Sequence, residues 1–260
     1  MKHVATLVRL VSALAVVAAT LGPMAARADA SDIARACRHP LFVTDDPNGM
    51  WFTHGYVVHN NMWNAAGYDV SQRLRACSAG NWSVTATADN SSGDGAVKTY
   101  PNAHRDYHNW NTGHEPRLSS FASIGSRFAS RSPRVGIYDG AYDIWLNGVA
   151  DSGSTEIMIW TDNHRQVPAG HVVKRGLTFS HRTWKLWATD DHRYLAFVPG
   201  KRLGHGWIGL KQRFSYLISH GFLAPRSTLG QVCFGYEIVS TGGSAQRFKI
   251  DRFSVTSQRK

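Results

Sequence analysis

Short apolar segments with alternating polar positions recur along most of the chain. Examples are residues 82–88, 142–146, 156–160 and 233–239. These segments are rich in β-branched and aromatic residues, and stretches of Asn, Asp, Ser and Gly separate them, which is typical of strands joined by turns. The spacing predicts an all-β fold, either an antiparallel sandwich or a jelly roll.

One segment, 207–220, has the periodicity of a helix. Its apolar stripe consists of Ile208, Phe214, Leu217 and Ile218, and Gly221 lies where a C-terminal cap is expected. We therefore expect one short helix packed on the strands. No internal repeat and no Pro/Ser/Gly-rich linker divides the chain, which indicates a single domain.

The first 28 residues have the pattern of a secretory signal. Lys2 and Arg9 supply the positive region, and residues 10–21 supply the apolar region. Ala26-Arg27-Ala28 or Ala28-Asp29-Ala30 offers a cleavage site with the preferred small residues, and we expect cleavage after Ala28. A transmembrane anchor is the alternative, but it needs about 20 apolar residues. We expect a signal over 1–28, a single domain over 29–260, secretion to the extracellular space, and no membrane contact after processing.

Basic residues outnumber acidic ones, with 29 Lys and Arg against 18 Asp and Glu and a net charge of +11. Such an excess raises the question of nucleic-acid binding. The positive charges are scattered, however, and no run of Lys and Arg resembles a binding patch. The composition therefore favours a solvated basic surface and no nucleic-acid partner.

Three cysteines follow the signal: Cys37, Cys77 and Cys233. An odd number in an exported chain predicts one disulfide and one free thiol. We expect the pair Cys37–Cys77, because both flank the first predicted strands, while Cys233 lies inside a later one. The other two pairings stay open at this point.

Glutamate is scarce after the signal and occurs only at 115, 156 and 237. Glu115 precedes a proline in a polar stretch, which predicts an exposed loop. Glu156 and Glu237 lie inside apolar strands, where an unpaired charge is costly to bury. Each could form an ordinary ion pair with an arginine. Two such residues together favour paired-carboxylate chemistry, in which one group protonates a leaving oxygen and the other attacks or activates water.

Asp143 adds a third acid near this pair. Its strand, 142–146, is expected to lie antiparallel to 156–160, which puts Asp143 opposite or diagonal to Glu156. Two carboxyls so close do not both ionise readily, so one should keep a proton. We expect Asp143 to tune the neighbouring glutamate.

Other chemistries have little support in the sequence. His104 and His108 have the spacing of helical metal ligands, but their segment lacks a helical stripe and no His-Glu-x-x-His is present. Serine-esterase, phosphate-binding and dinucleotide motifs are also missing. We expect no metal and no cofactor.

Six segments in order resemble glycoside hydrolase family 12, the compact endoglucanases and xyloglucanases. They are YVVHNNMWN (56–64), VKTYPN (97–102), AYDIWL (141–146), EIMIW (156–160), FSYL (214–217) and GYEI (235–238) with the following GG (242–243). Each segment alone is weakly diagnostic, but their order covers nearly the whole chain after the signal. The stretch 104–116 departs from the family pattern.

The resemblance implies a β-jelly roll of two curved antiparallel sheets, whose concave face forms an open polysaccharide cleft. It also implies a retaining β-1,4-glucanase that needs no cofactor, with Glu156 as nucleophile and Glu237 as acid/base. Asp143 would support the nucleophile, and Asn61 and Trp63 would bind glucose. Met158 shares the strand face of Glu156, so we expect it in the floor beneath the substrate.

The partner expected from this reading is a β-glucan, and the enzyme is expected to be a monomer. The rival hypothesis from another class is a jelly-roll protein that binds glucan without cutting it, because fold alone does not settle function. The carboxylate pair discriminates between them, since a binding module has no use for two facing acids.

Overall fold

Strands account for most of the computed structural model, which describes residues 37–260. The predicted signal over 1–28 lies outside the described residues. The strands are β1 (Phe42–Thr44), β2 (Met50–Thr53), β3 (Tyr56–His59), β4 (Val70–Ser78), β5 (Asn81–Ala88), β6 (Asn102–Asp106), β7 (Phe121–Arg131), β8 (Ile137–Leu146), β9 (Thr155–His164), β10 (His171–Phe179), β11 (Arg182–Ala188), β12 (Tyr194–Pro199), β13 (His205–Ile208), β14 (Leu229–Ser240) and β15 (Gln246–Arg259).

These strands form two sheets. One has six strands in the order β1-β4-β5-β15-β7-β13, and the other has nine in the order β10-β11-β12-β9-β8-β14-β6-β3-β2. Neighbours pair antiparallel except β12 and β9, which run parallel. The predicted two-sheet jelly roll is confirmed.

The main core lies between the two sheets and fixes which face of each strand points outward. Tyr138 of β8 packs edge-on against Phe248 of β15 at 5.0 Å between ring centroids, and Phe234 of β14 stacks on Phe253 of β15 at 5.9 Å. Buried side chains of this size each stabilise the fold by about 2 kcal/mol. Because successive residues of a strand point to opposite faces, the residues between them face away from this core.

The helix is shorter than the sequence indicates. It spans Leu210–Ser219 (α1), because Trp207 and Ile208 belong to β13 and pair with β7. Gly209, with an extended backbone, separates the two elements. The predicted cap at Gly221 is confirmed by its φ of 76°, a left-handed conformation that glycine adopts without a Cβ clash.

The disulfide is Cys37–Cys77, as expected, with its Cα atoms 5.7 Å apart. It ties the segment before β1 to β4. Cys233 is the free thiol and is buried. Within residues 37–260, no helix has the length and hydrophobicity needed to cross a bilayer.

Candidate active site

The outward face of the nine-stranded sheet forms a cleft of about 1000 Å³. Side chains from β2, β3, β6, β14, β8, β9 and β12 line it, so it crosses seven neighbouring strands. At about 4.8 Å between strands, that is a span of roughly 29 Å. The cleft is therefore long enough for several sugar rings in a row.

Glu156 and Glu237 both line this cleft. They come from β9 and β14, the two strands that flank β8, and their register partners on β8 are Trp145 and Asp139. Each side chain is partly exposed to the cleft. Burial raises the pKa of Glu237, while burial and then the charges of Asp143 and Glu237 raise the pKa of Glu156. The structure thus brings together the two glutamates that the sequence singled out.

Asp143 lies diagonally across from Glu156, because its direct partner on β9 is Met158. Its side chain is buried, and its Oδ2 accepts a hydrogen bond of 3.1 Å from the indole N–H of Trp145. Burial, followed by the charge of Glu237, raises the pKa of Asp143 to about 8. At neutral pH this carboxyl is therefore mostly protonated.

A fourth acid, Asp139, was missed by the sequence reasoning. It lies on β8 four positions before Asp143 and on the same face, directly opposite Glu237. The predicted strand began at 142, whereas β8 begins at Ile137. Extending the alternation to the start of that strand would have found it.

Asn61 and Trp63 follow β3 and line the cleft. Asn61 has a φ of 44°, a left-handed conformation that Asn tolerates better than most residues. Its carbonyl accepts hydrogen bonds from the Tyr100 amide and the Thr99 hydroxyl at 2.9 and 3.0 Å, which fix the turn. Trp63 is 60% exposed, so its ring is free to stack on a sugar.

Met158 faces the cleft side but lies beneath the surface, with 1% exposure. Its sulfur accepts hydrogen bonds from the Tyr194 hydroxyl at 3.1 Å and the Trp160 indole at 3.4 Å. Tyr194 and Trp160 themselves line the cleft. Met158 therefore supports the aromatic floor from below.

Two histidines lie at the β3–β6 end of the cleft. The rings of His59 and His104 meet edge to face at 6.3 Å. Burial, followed by the charge of His104, lowers the pKa of His59 to about 4, and burial also lowers the pKa of His104. Both rings are neutral at neutral pH and can each donate and accept hydrogen bonds with sugar hydroxyls. Cys233 is the register partner of His104, and its thiol donates to the Gln231 side-chain oxygen at 2.9 Å.

The expectation that Glu115 is an exposed loop residue is wrong. Its side chain is 4% exposed and accepts hydrogen bonds from the His108 ring at 2.8 Å, the Gly148 amide at 3.1 Å and the Thr228 hydroxyl at 2.5 Å. It joins the loop after β6 to the loop between β8 and β9. The loop after β6 also carries Trp110, which is 62% exposed at the cleft.

Comparisons with known proteins agree with this geometry. The family model described as Glycosyl hydrolase family 12 matches residues 54–258. Among solved structures, the chain is similar to the xyloglucanase domain of NopAA, a type three effector from Sinorhizobium fredii, in complex with cellobiose (24% identity, 85% of this chain, 100% of that chain, TM-score 0.72).

Two further solved structures share the fold. The native family 12 xyloglucanase from Bacillus licheniformis has 22% identity, with 84% of this chain and 100% of that chain covered and a TM-score of 0.73. An endoglucanase from Rhodothermus marinus has 23% identity, with 84% and 100% covered and a TM-score of 0.70.

Proposed function

Because the chain belongs to glycosyl hydrolase family 12, we propose that it is a secreted, retaining endo-β-1,4-glucanase with Glu156 as nucleophile and Glu237 as acid/base. The observation that carries the proposal is the arrangement of these two glutamates, which come from strands on either side of β8 and face one cleft. The length of the cleft supports cleavage within a polymer, since it can hold several sugar rings in a row.

In the first step, Glu237 donates its proton to the glycosidic oxygen while the Glu156 carboxylate attacks the anomeric carbon. The bond between that carbon and the oxygen breaks, its electron pair goes to the leaving oxygen, and an ester to Glu156 forms. The raised pKa of Glu237 suits this role, because a general acid must hold its proton until the glycosidic oxygen accepts it.

In the second step, Glu237 is a carboxylate and accepts a proton from water, which attacks the anomeric carbon. Glu156 leaves as a carboxylate and the sugar configuration is retained. One proton is given and one is regained, so the site returns to its starting state.

Asp143 assists by keeping its proton. A charged Asp143 would raise the pKa of Glu156 further, and the attacking group must be ionised. With the pKa of Asp143 near 8, the neutral form predominates at pH 7 and opposes the ionisation of Glu156 less.

The substrate class that this cleft fits is a β-1,4-glucan. Trp63 offers an exposed indole for the flat C–H face of a pyranose, and Asn61 offers an amide for its hydroxyls. Release of reducing sugar from cellulose, mixed-linkage β-glucan and xyloglucan, compared side by side, identifies the preferred polymer.

Glu156→Gln and Glu237→Gln test the roles. Each should lower turnover by several orders of magnitude with the fold intact, because one removes the nucleophile and the other the proton source. Azide separates the roles in the alanine variants: it should give an α-glycosyl azide with Glu156→Ala and a β-glycosyl azide with Glu237→Ala.

Asp190→Asn is the matched control, since that side chain is 98% exposed, and it should hydrolyse glucan like the parent. Near-normal hydrolysis by either Gln variant contradicts the assignment. A parent protein that binds glucan without releasing reducing sugar would instead support the non-catalytic binding protein.

Secretion is part of the proposal and is supported by the signal-like pattern of 1–28 together with the Cys37–Cys77 disulfide, a bond typical of oxidising compartments. The N-terminal sequence of protein recovered from culture medium tests it. A start at Asp29 is expected, and retention of residues 1–28 in the cell contradicts it.

A further inference from the structure

Asp139 is a buried acid beside the proposed acid/base. It pairs directly with Glu237 across the β8–β14 ladder, and its exposure is 0%, whereas Glu237 reaches the cleft. It lies on the cleft side of β8, since its neighbours Tyr138 and Gly140 alternate to the other face and Tyr138 packs in the main core. Asp139 is therefore an acid held behind Glu237, out of reach of solvent.

Among residues 37–260, the neighbouring carboxyl of Glu237 is the one group in position to share a hydrogen bond with the oxygens of Asp139. No N–H or O–H group from the rest of residues 37–260 bonds either oxygen. The group within hydrogen-bonding reach is the carboxyl of Glu237. Two carboxylates cannot bond each other, so this contact needs a proton on one of them. An ionised and unpaired Asp139 would be costly to bury.

The titratable groups nearest the Asp139–Glu237 pair are carboxyls and tyrosine hydroxyls. Glu156 and Asp162 of β9 act on Asp139 from one flank. Asp143 lies on the same strand as Asp139, and the charge of Glu237 raises its pKa. The charges of Glu237 and Asp139 also raise the pKa values of Tyr194 of β12 and Tyr100 before β6. The nearby cations Arg134 and Arg202 are engaged by Asp162, at 2.7 and 3.1 Å. Burial and these charges raise the pKa of Asp139 well above its ordinary value.

We propose that Asp139 is a positioning residue that stays protonated and donates a hydrogen bond to the carboxylate of Glu237. The proposal rests on the acid/base role proposed for Glu237. It follows from the strand register, the complete burial of Asp139, and the lack of any other donor to its oxygens.

This bond has its effect after Glu237 has given its proton to the leaving oxygen. The new Glu237 carboxylate is then stabilised by the Asp139 O–H rather than left without a donor. In the second step Glu237 takes its proton back from water, and the proton of Asp139 stays where it was. Asp139 therefore adds no proton to the reaction and holds the Glu237 carboxylate in place for the second step.

Asp139→Leu and Asp139→Asn separate hydrogen bonding from packing. Leucine has the branching of aspartate but no donor, so the pKa of Glu237 should rise and the basic limb of the kcat/KM profile should move up by about one pH unit. Asparagine keeps an N–H donor, so its shift should be less than half as large. Profiles are measured on a soluble β-glucan, with thermal unfolding as the check on folding.

The direction in which the basic limb of the kcat/KM profile moves in Asp139→Leu distinguishes a protonated Asp139 from an ionised one. If Asp139 were ionised, removing its charge would lower the pKa of Glu237 and move the basic limb to lower pH, which overturns the proposal. No shift in Asp139→Leu, or equal shifts in both variants, also overturns it, because either result reduces Asp139 to packing. Asp190→Asn, which removes a carboxylate that is 98% exposed, should leave the basic limb in place.

A titration of the unmodified protein gives the answer even if Asp139→Leu fails to fold. With ¹³C-labelled aspartate, the Asp139 carboxyl carbon should keep its protonated chemical shift at pH 6, where exposed aspartates are ionised. An ordinary titration curve for Asp139 overturns the inference. This titration does not depend on turnover, so it tests the role of Asp139 separately from the proposed function. The proposed function fails instead if Glu237→Gln keeps its activity.

Discussion

Glu115→Ala tests how strongly one buried carboxylate stabilises the cleft loop. The substitution leaves three donors without an acceptor: the His108 ring, the Gly148 amide and the Thr228 hydroxyl. At about 1 kcal/mol or more for each bond, the free energy of unfolding should fall by roughly 3 kcal/mol. For a domain of this size, that corresponds to a Tm lower by about 6 to 12 °C.

Scanning calorimetry measures this loss, and two variants serve as controls. Glu115→Gln keeps an acceptor oxygen but loses the charge, so its Tm should fall by less. Asp190→Ala removes a side chain that is 98% exposed and should change Tm by no more than about 2 °C. If Glu115→Ala unfolds at the temperature of Asp190→Ala, the three hydrogen bonds do not stabilise the loop as argued.

The remaining predictions concern the cleft. Because the folded pKa of Asp143 is about 8 and thus above its unfolded value, its contribution to stability is complete below about pH 4 and is lost as pH rises to 8. Asp143→Asn should flatten the dependence of Tm on pH over that window. It should also weaken activity less than either glutamate variant and shift the pH–rate profile. If neither the Tm curve nor the pH–rate profile changes, Asp143 does not tune Glu156. Trp63→Ala should raise KM about fivefold with kcat within about twofold, since stacking contributes roughly 1 kcal/mol, and Trp63→Phe should fall between. An equal KM for the parent and both variants would exclude stacking at Trp63.

The strand pattern of the sequence predicted most of the fold and the placement of both glutamates. Alternation alone puts Glu156 and Glu237 on the side opposite Ile157 and Phe234, and the two core residues are buried as that pattern requires. The closeness of Asp143 to Glu156 was also predicted, opposite or diagonal, because a hairpin between neighbouring strands leaves few registers, and the structure has the diagonal position.

What the sequence did not indicate depends on partners far away in the chain. Glu115 is buried because Thr228, 113 positions later, donates to it, and no local pattern encodes that contact. Asp139 matters through Glu237, which the β14 ladder places opposite. The helix begins late because Ile208 joins β13 and pairs with Ser126 of β7, so tertiary pairing overrides helical periodicity there.

The central claim is that Glu156 attacks the sugar and becomes covalently bound to it. A 2-deoxy-2-fluoro cellobioside with a good leaving group slows the second step, so the intermediate accumulates and can be digested and read by mass spectrometry. The account predicts one added fluoro-cellobiosyl group on the peptide that contains Glu156. No adduct, or an adduct on Glu237 or Asp143, would contradict it.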